Sequence, residues 1–144
     1  MKTKSIRVVL LTLALALCCA GYAAADSYYY TPLATDFNVT AINDYGVVLG
    51  LKNGTPCLWS PTDGYKILNV PPYSTPLALN NYGEIIGSTD YPWGTGSHAF
   101  SYTASGGTVI FGPTYTAPFS ISNTGQIVGY QYNGWAFEVF AFHQ

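Results

Sequence analysis

The chain has 144 residues, of which 49% are hydrophobic, 16% aromatic and only 8% charged, with a formal net charge of −2. Five basic residues are too few to neutralise a run of phosphates, which excludes nucleic acid and, for the same reason, an anionic membrane surface as partners. A chain of this length can bury roughly two thirds of its unfolded surface, so it can fold without disulfides or metal.

The N-terminal residues have the order of a secretory signal peptide. Basic residues come first, the uncharged apolar run from Val8 to Cys19 follows, and Ala23-Ala24-Ala25 precedes Asp26. We predict cleavage between Ala25 and Asp26, which leaves residues 26–144 as a single secreted or periplasmic domain. A lipoprotein anchored at Cys18 is the weaker alternative, because Leu17 fits poorly before a lipidated cysteine. The apolar run is shorter than the about 20 residues of a membrane span, and no later stretch is apolar enough, so no span is predicted.

Cleavage would leave Lys52 and Lys66 as the only lysines, no arginine, and all seven acidic residues. It would also leave Cys57 as the only cysteine, which cannot form an internal disulfide. Cys57 lies in the apolar run Cys57-Leu58-Trp59, so a buried thiol is favoured over an intermolecular disulfide.

Three similar phrases follow along the chain: AINDYGVVLG at 41–50, ALNNYGEIIG at 78–87 and SISNTGQIVG at 120–129. Each has a polar turn closed by glycine, then a short β-branched strand, then a second glycine, which is typical of a β-hairpin. Periods of about 40 residues indicate a repeat architecture. The turn glycines are Gly46, Gly83 and Gly125, and the second glycines are Gly50, Gly87 and Gly129.

Further turns divide the chain into more strands. Asn53-Gly54 and Asn133-Gly134 predict hairpin turns, and no window after residue 25 has a helical pattern. A second shared block aligns Pro56-Cys57-Leu58-Trp59 with His98-Ala99-Phe100-Ser101 and with Trp135-Ala136-Phe137-Glu138.

The sequence therefore predicts an all-β fold of three repeats, each with three or four antiparallel strands. The last repeat is short, so strands from the N-terminal segment, including Tyr28-Tyr29-Tyr30, could complete it and close the domain by pairing with the C-terminal strand. An exposed tyrosine stripe is the alternative for that segment. Trefoil-like closure, an open stack and two chains completing one ring stay open.

The phrases from Leu79 to Gly87 and the triplet His98-Ala99-Phe100 resemble the HAF repeat of exported bacterial proteins. The resemblance covers most of residues 36–143 and implies an exported, propeller-like β-repeat protein. It brings no catalytic residues and no cofactor with it.

The insertion of the second repeat is the candidate ligand-binding loop. Asp90, Tyr91 and Trp93 lie in it, and His98 follows it. Loops on a rigid scaffold often carry binding residues, and the two aromatic rings could stack on a sugar. The alternatives are an ordinary long hairpin loop and a structural histidine at a strand start.

No group of His, Cys and acidic residues has metal-ligand spacing, and Asp44 and Asp63 fit turns better than a calcium site, so no metal or cofactor is expected. No nucleophile motif or carboxylate pair is present either. We therefore expect a non-catalytic binding or interaction module of the periplasm or cell surface, with a glycan or a surface protein as partner. The alternative is a self-associating structural component, which would be a homo-oligomer, and a carbohydrate-active enzyme is the third hypothesis.

Overall fold

A computed structural model of the chain describes residues 30–90 and 96–143, so the predicted signal peptide, Tyr28 and Tyr29 lie outside the described residues. The described residues form eleven β-strands and no helix, which confirms the all-β prediction. They contain no helix that could cross a bilayer. The strands are β1 (Phe37–Ile42), β2 (Val48–Lys52), β3 (Thr55–Ser60), β4 (Gly64–Ile67), β5 (Ser74–Leu79), β6 (Ile85–Thr89), β7 (His98–Thr103), β8 (Gly107–Phe111), β9 (Thr116–Ile121), β10 (Ile127–Tyr132) and β11 (Phe137–Phe142).

Neighbouring strands along the chain pair antiparallel in three sheets. The first sheet has the order β1-β2-β3-β4, the second β5-β6-β7-β8, and the third β11-β10-β9. None of these described sheets closes into a barrel. The described residues 30–36 belong to no strand, so the pairing predicted between residues 28–33 and the C-terminal strand is absent for residues 30–33. As described, the third sheet has three strands and β11 is an edge strand.

The three glycine turns share one arrangement of hydrogen bonds. In the second turn the Asn80 side-chain oxygen accepts from the backbone N–H groups of Tyr82 and Glu84, both at 3.0 Å. Asn43 and Ser122 accept in the same way in the first and third turns. The turn glycines all have positive φ, in the left-handed region that glycine adopts without steric cost.

These turns are also bonded to one another. The Asn43 side-chain amide donates to the Asn80 carbonyl at 3.3 Å, and the Asn80 amide donates to the Ser122 carbonyl at 3.1 Å. The Asp44 N–H donates to Asn81 Oδ1 at 3.0 Å, and the Asn81 N–H donates to Asn123 Oδ1 at 2.9 Å. This ladder fixes the order of the three sheets at one end.

The second glycine of each phrase lies where two strands come too close for a side chain. A Cβ on Gly87 would lie 2.3 Å from the Thr75 carbonyl oxygen and 2.7 Å from the Phe100 ring. The ladder between β5 and β6 shifts register beside this point, between Pro76 and Ala78. Glycine is therefore required by the bulge and by the ring that packs over it.

The core lies between the sheets, which pack face to face. Leu49 of the first sheet is buried with Leu79 and Ile85 of the second. On the other face of the second sheet, Ile86 and Ala99 are buried with Ile127 of the third. The second sheet is thus covered on both faces by apolar neighbours.

The register corrects one sequence alignment. The residues paired with Gly50 and Gly87 are Cys57 and Phe100, and the residue paired with Gly129 is Phe140. The predicted equivalence of Phe100 with Leu58 and Phe137 is therefore wrong. That alignment assumes hairpins of equal length in the first and third repeats, whereas the β10–β11 hairpin continues to the pair Tyr132–Phe137 before it turns.

Candidate interaction surface

The outer face of the third sheet is apolar and uncovered among the described residues. Along β10 the buried residues Ile127 and Gly129 alternate with Val128, Tyr130 and Tyr132, which point to the opposite side. On β11 the pairs Tyr130–Val139 and Tyr132–Phe137 place the partners on that same side. We call this surface the aromatic face; it comprises Phe119, Val128, Tyr130, Tyr132, Phe137 and Val139.

The phenylalanines and valines of this face are exposed, its two tyrosines are half-buried, and its rings contact one another. Phe119 is 60% exposed, Phe137 66% and Val139 88%. The Tyr130 ring lies 5.1 Å from the ring centres of both Phe119 and Phe137, perpendicular to the second, and the Tyr132 ring lies 5.2 Å from Phe137. The Tyr130–Phe137 pair is edge-to-face and the other two pairs are tilted, and these contacts hold the rings against one another on this face.

A shallow hollow of about 320 Å³ lies among Phe119, Tyr130, Phe137 and Val139, with Glu138 at its margin. Trp135, in the turn between β10 and β11, is 94% exposed. The Glu138 carboxylate accepts a hydrogen bond from the Asn133 side-chain amide, and no other Asp, Glu, Lys or Arg occurs between residues 116 and 143. The surface can therefore bind through apolar and aromatic contact with almost no electrostatic contribution.

The outer face of the first sheet, unlike that of the third, is covered by the segment that precedes β1. Leu33 and Ala34 pack on its buried residues Phe37, Val48 and Cys57. The Ala34 N–H donates to the Tyr65 hydroxyl at 2.9 Å, and the Tyr65 ring meets Phe37 edge-on at 5.2 Å. This segment caps the first sheet, whereas no described segment caps the third.

An ion pair lies beside the segment that covers the first sheet. Lys52 Nζ lies 2.8 Å from Asp36 Oδ1 and 4.4 Å from the centre of the Tyr65 ring. The hydrogen bond from Lys52 lowers the pKa of the Asp36 carboxyl below its ordinary value. Beneath it, Cys57 is fully buried, which confirms the prediction of a buried thiol, and burial raises its pKa.

The predicted binding loop is described only at its ends. Tyr91 and Trp93 lie outside the described residues. Asp90 is exposed after β6, and His98 is the first residue of β7, where it pairs with Thr89. The structure therefore leaves the ligand-binding prediction for this loop untested.

A second concave surface lies at the glycine turns. A groove of about 600 Å³ is bounded by the exposed rings of Tyr45 and Tyr82, by Trp59, and by the polar side chains of Asp63 and Lys66. It combines aromatic faces with hydrogen-bonding groups, a composition that suits a polar ring-shaped ligand.

The acidic residues considered for calcium have partners in the turns. Asp63 accepts from the hydroxyls of Ser60 and Thr62, and Asp44 accepts from the Asn81 amide at 2.7 Å. Within residues 30–90 and 96–143, no three His, Cys, Asp or Glu side chains gather as a metal site.

Comparison of the chain with protein-family models and with curated proteins found no match. The residues of the chain itself therefore carry the functional argument.

Sequence reasoning missed the aromatic face, although a signal was present. Apart from Gln131 and Glu138, the alternate residues on both faces of 127–132 and 137–142 are apolar or aromatic, or glycine, which is typical of strands that are covered on both faces. The sequence did not reveal that these strands form the last sheet, one face of which has no neighbouring sheet among the described residues.

Proposed function

We propose that this protein is an exported, non-catalytic β-repeat module that works by binding, and that the aromatic face of the third sheet is its binding surface. The observation that carries the proposal is the contiguous exposed apolar surface formed by Phe119, Phe137 and Val139 beside Tyr130. Exposed apolar patches of more than a few hundred Å² are uncommon on monomers and mark interaction sites.

The proposal includes a propeller-like arrangement of HAF-type repeats. Support comes from the three turns with the same hydrogen bonds, joined by the ladder from Asn43 through Asn80 to Ser122. Further support comes from the glycines at 50, 87 and 129, each of which would place a Cβ 2.3 Å from a carbonyl oxygen of the neighbouring strand.

The non-catalytic part of the proposal rests on what the acidic side chains do. Asp36 binds Lys52, Glu84 accepts from Asn80, and Asp63 accepts from Ser60. These three carboxylates stabilise turns and the cap, which supports a structural role for them over proton transfer.

Export is tested by the N-terminus of the protein recovered from the producing cell. Edman sequencing of the mature chain is expected to begin at Asp26. A mature chain that begins at Met1 or at Cys18 would contradict cleavage after Ala25 and, with it, the proposed compartment.

The binding surface is tested by site-specific photocrosslinking in the exporting cell. Phe119 is replaced by p-benzoylphenylalanine, and Tyr73, an exposed ring in the turn before β5, is replaced in the same way as the control. We expect an ultraviolet-dependent adduct of higher mass from position 119 and none from position 73. Equal adducts from both positions, or none from 119, would refute the aromatic face as the binding surface.

A second candidate function is glycan binding in the groove between the turns. The rings of Tyr45 and Tyr82 and the groups of Asp63 and Lys66 favour it, because sugars offer both apolar faces and hydroxyls. In a variant with Trp93 and Trp135 replaced by phenylalanine, titration with soluble bacterial cell-wall oligosaccharides should quench the fluorescence of Trp59, and Tyr82→Ala should weaken the binding at least about tenfold. The matched control is Tyr73→Ala, which lies away from the groove, and equal loss in both variants would contradict a site there.

A further inference from the structure

We propose that the partner seated on the aromatic face is a second copy of this chain, held by twofold symmetry with the two third sheets face to face. The inference rests on the proposed function, since it names the occupant of the same surface. It follows from the difference between the two ends of the stack of sheets, from the area and chemistry of the face, and from the packing already present inside the chain.

Each internal junction buries apolar residues from two facing sheets. Leu49 faces Ile85 at the first junction, and Ile86 faces Ile127 at the second. At the second junction the Phe111 ring stacks on Phe142 at 5.0 Å and meets Phe140 edge-on at 6.4 Å. The aromatic face is likewise apolar apart from the hydroxyls of its two tyrosines, and a sheet of this kind is stable when another apolar sheet covers it.

The outer faces of the first and third sheets differ, and this difference favours a twofold dimer over a head-to-tail contact. The outer face of the first sheet is occupied by Leu33 and Ala34 and by the Asp36–Lys52 ion pair. A head-to-tail contact would have to displace that cap. The aromatic face is the uncovered sheet face of the described residues, so the surface in a second copy that matches it is the same face, as in an isologous dimer.

The ladder of turns supports the same symmetry. Asn43 and Asn80 each donate a side-chain amide to the next turn, whereas the third turn has Ser122 in their place. Serine has no amide to donate. A fourth sheet added in sequence would therefore lack one of the two hydrogen bonds found at each junction of the ladder, the side-chain amide bond, whereas a face-to-face contact needs neither of them.

The exposed area is close to what a stable dimer requires. A fully exposed aromatic side chain presents about 150–250 Å², so Phe119 and Phe137 together present roughly 200–300 Å² at their observed exposures. Val128, Val139 and the two tyrosines enlarge the patch toward the roughly 800 Å² per partner of a specific interface.

Charge does not oppose self-association here. Identical faces repel when they carry like charges, but the residues of the aromatic face are uncharged and Glu138 is bonded to Asn133. Twofold packing therefore brings rings and valines together without burying an ion.

The test compares two lysine substitutions in the mature chain by sedimentation equilibrium. Val139→Lys places a charge on the aromatic face, and Val109→Lys places the same charge on β8, another edge strand, where the valine is 55% exposed. We expect a dimer for the unchanged chain and for Val109→Lys, and a dissociation constant raised by about 100-fold for Val139→Lys, because two lysines would meet at the twofold contact. Circular dichroism and thermal unfolding check that both variants fold alike.

The outcomes separate this inference from the proposed function. A monomer at all concentrations up to about 100 μM, or equal dissociation in both variants, overturns the dimer. If the position-119 adduct then contains another protein, the binding function stands and the second copy is wrong. An adduct of twice the chain mass supports the dimer, and an adduct within one chain that maps to residues 26–32 overturns it in favour of the chain's own N-terminal segment.

Discussion

Replacement of Gly87 by alanine tests whether the repeated second glycine is required by close packing. Gly87 is buried in β6, between the first and third sheets. An added Cβ would lie 2.3 Å from the Thr75 carbonyl oxygen and 2.7 Å from two carbons of the Phe100 ring, whereas ordinary contacts lie at 3.4–4 Å. The backbone of β5 and the ring would both have to retreat by about 1 Å in an interior that is close-packed.

The cost follows from these contacts. Overpacking by one carbon in a well-packed core destabilises by about 1–3 kcal/mol, and a clash with backbone on one side and a buried ring on the other belongs at the upper end. Replacing glycine by alanine in a strand also raises the free energy of unfolding by about 0.5 kcal/mol, because the unfolded chain has less conformational entropy. We therefore expect Gly87→Ala to lower the free energy of unfolding by about 2.5 kcal/mol, which for a domain of this size lowers the Tm by about 10 °C.

The assay is urea unfolding followed by tryptophan fluorescence, with the midpoint and slope fitted separately. The matched control is Gly83→Asn in the neighbouring turn, where the added Cβ meets nothing within 4 Å. Asparagine tolerates positive φ, so this change should cost less than about 1 kcal/mol. A Gly87→Ala protein within about 0.5 kcal/mol of the unchanged chain would refute the argument from close packing.

Three further predictions concern the turns, the cap and the thiol. Asn80→Ala should lower the free energy of unfolding by about 3 kcal/mol and Ser122→Ala by about 1 kcal/mol, because Asn80 is buried and its side chain bonds both to its own turn and to the next one. The pKa of Asp36 is lowered chiefly by the hydrogen bond from Lys52, so this pair stabilises the fold above about pH 4 and that stabilisation is lost as pH falls through the folded-state pKa. Lys52→Met should remove this part of the acid sensitivity, and carboxyl NMR should find the Asp36 pKa back near its ordinary value; an unchanged pKa would contradict the ion pair. Cys57 is fully buried with a raised pKa, so native protein should react with Ellman's reagent far more slowly than protein in urea, and equal rates would contradict the burial of its thiol.

The strands and turns were predictable because their signals are local. A turn such as Asn80-Asn81-Tyr82-Gly83 contains the acceptor that binds its own backbone and the glycine that takes the positive φ, so four residues specify it. The turn at Asn53-Gly54 is equally self-contained, because both of its residues have the positive φ that a tight hairpin turn requires. Such features do not depend on what packs against them.

Register across a longer hairpin was not predictable in the same way. Equal spacing from Gly129 places Phe137 where the structure has Phe140. The turn after Tyr132 is set by the Asn133 side chain, which accepts from the N–H groups of Trp135 and Ala136 and so lengthens the connection. Residue counting cannot detect this extension, because a strand with apolar residues on both faces fits either register.

The aromatic face depends on a property of the whole stack, namely which sheet has a neighbour. The strands of the second and third sheets look alike in sequence, since Ile85-Ile86 and Ile127-Val128 both place apolar residues on both faces. In the second sheet both residues are buried, whereas in the third Ile127 is buried and Val128 is exposed. Both faces of the third sheet are therefore apolar, but only one of them packs against another sheet within the described residues. The outer face of the first sheet, in contrast, is covered by the segment that precedes β1. That mismatch between composition and cover indicates a binding surface at this end of the stack, and the self-complementarity of an uncharged aromatic sheet favours a second copy as its partner.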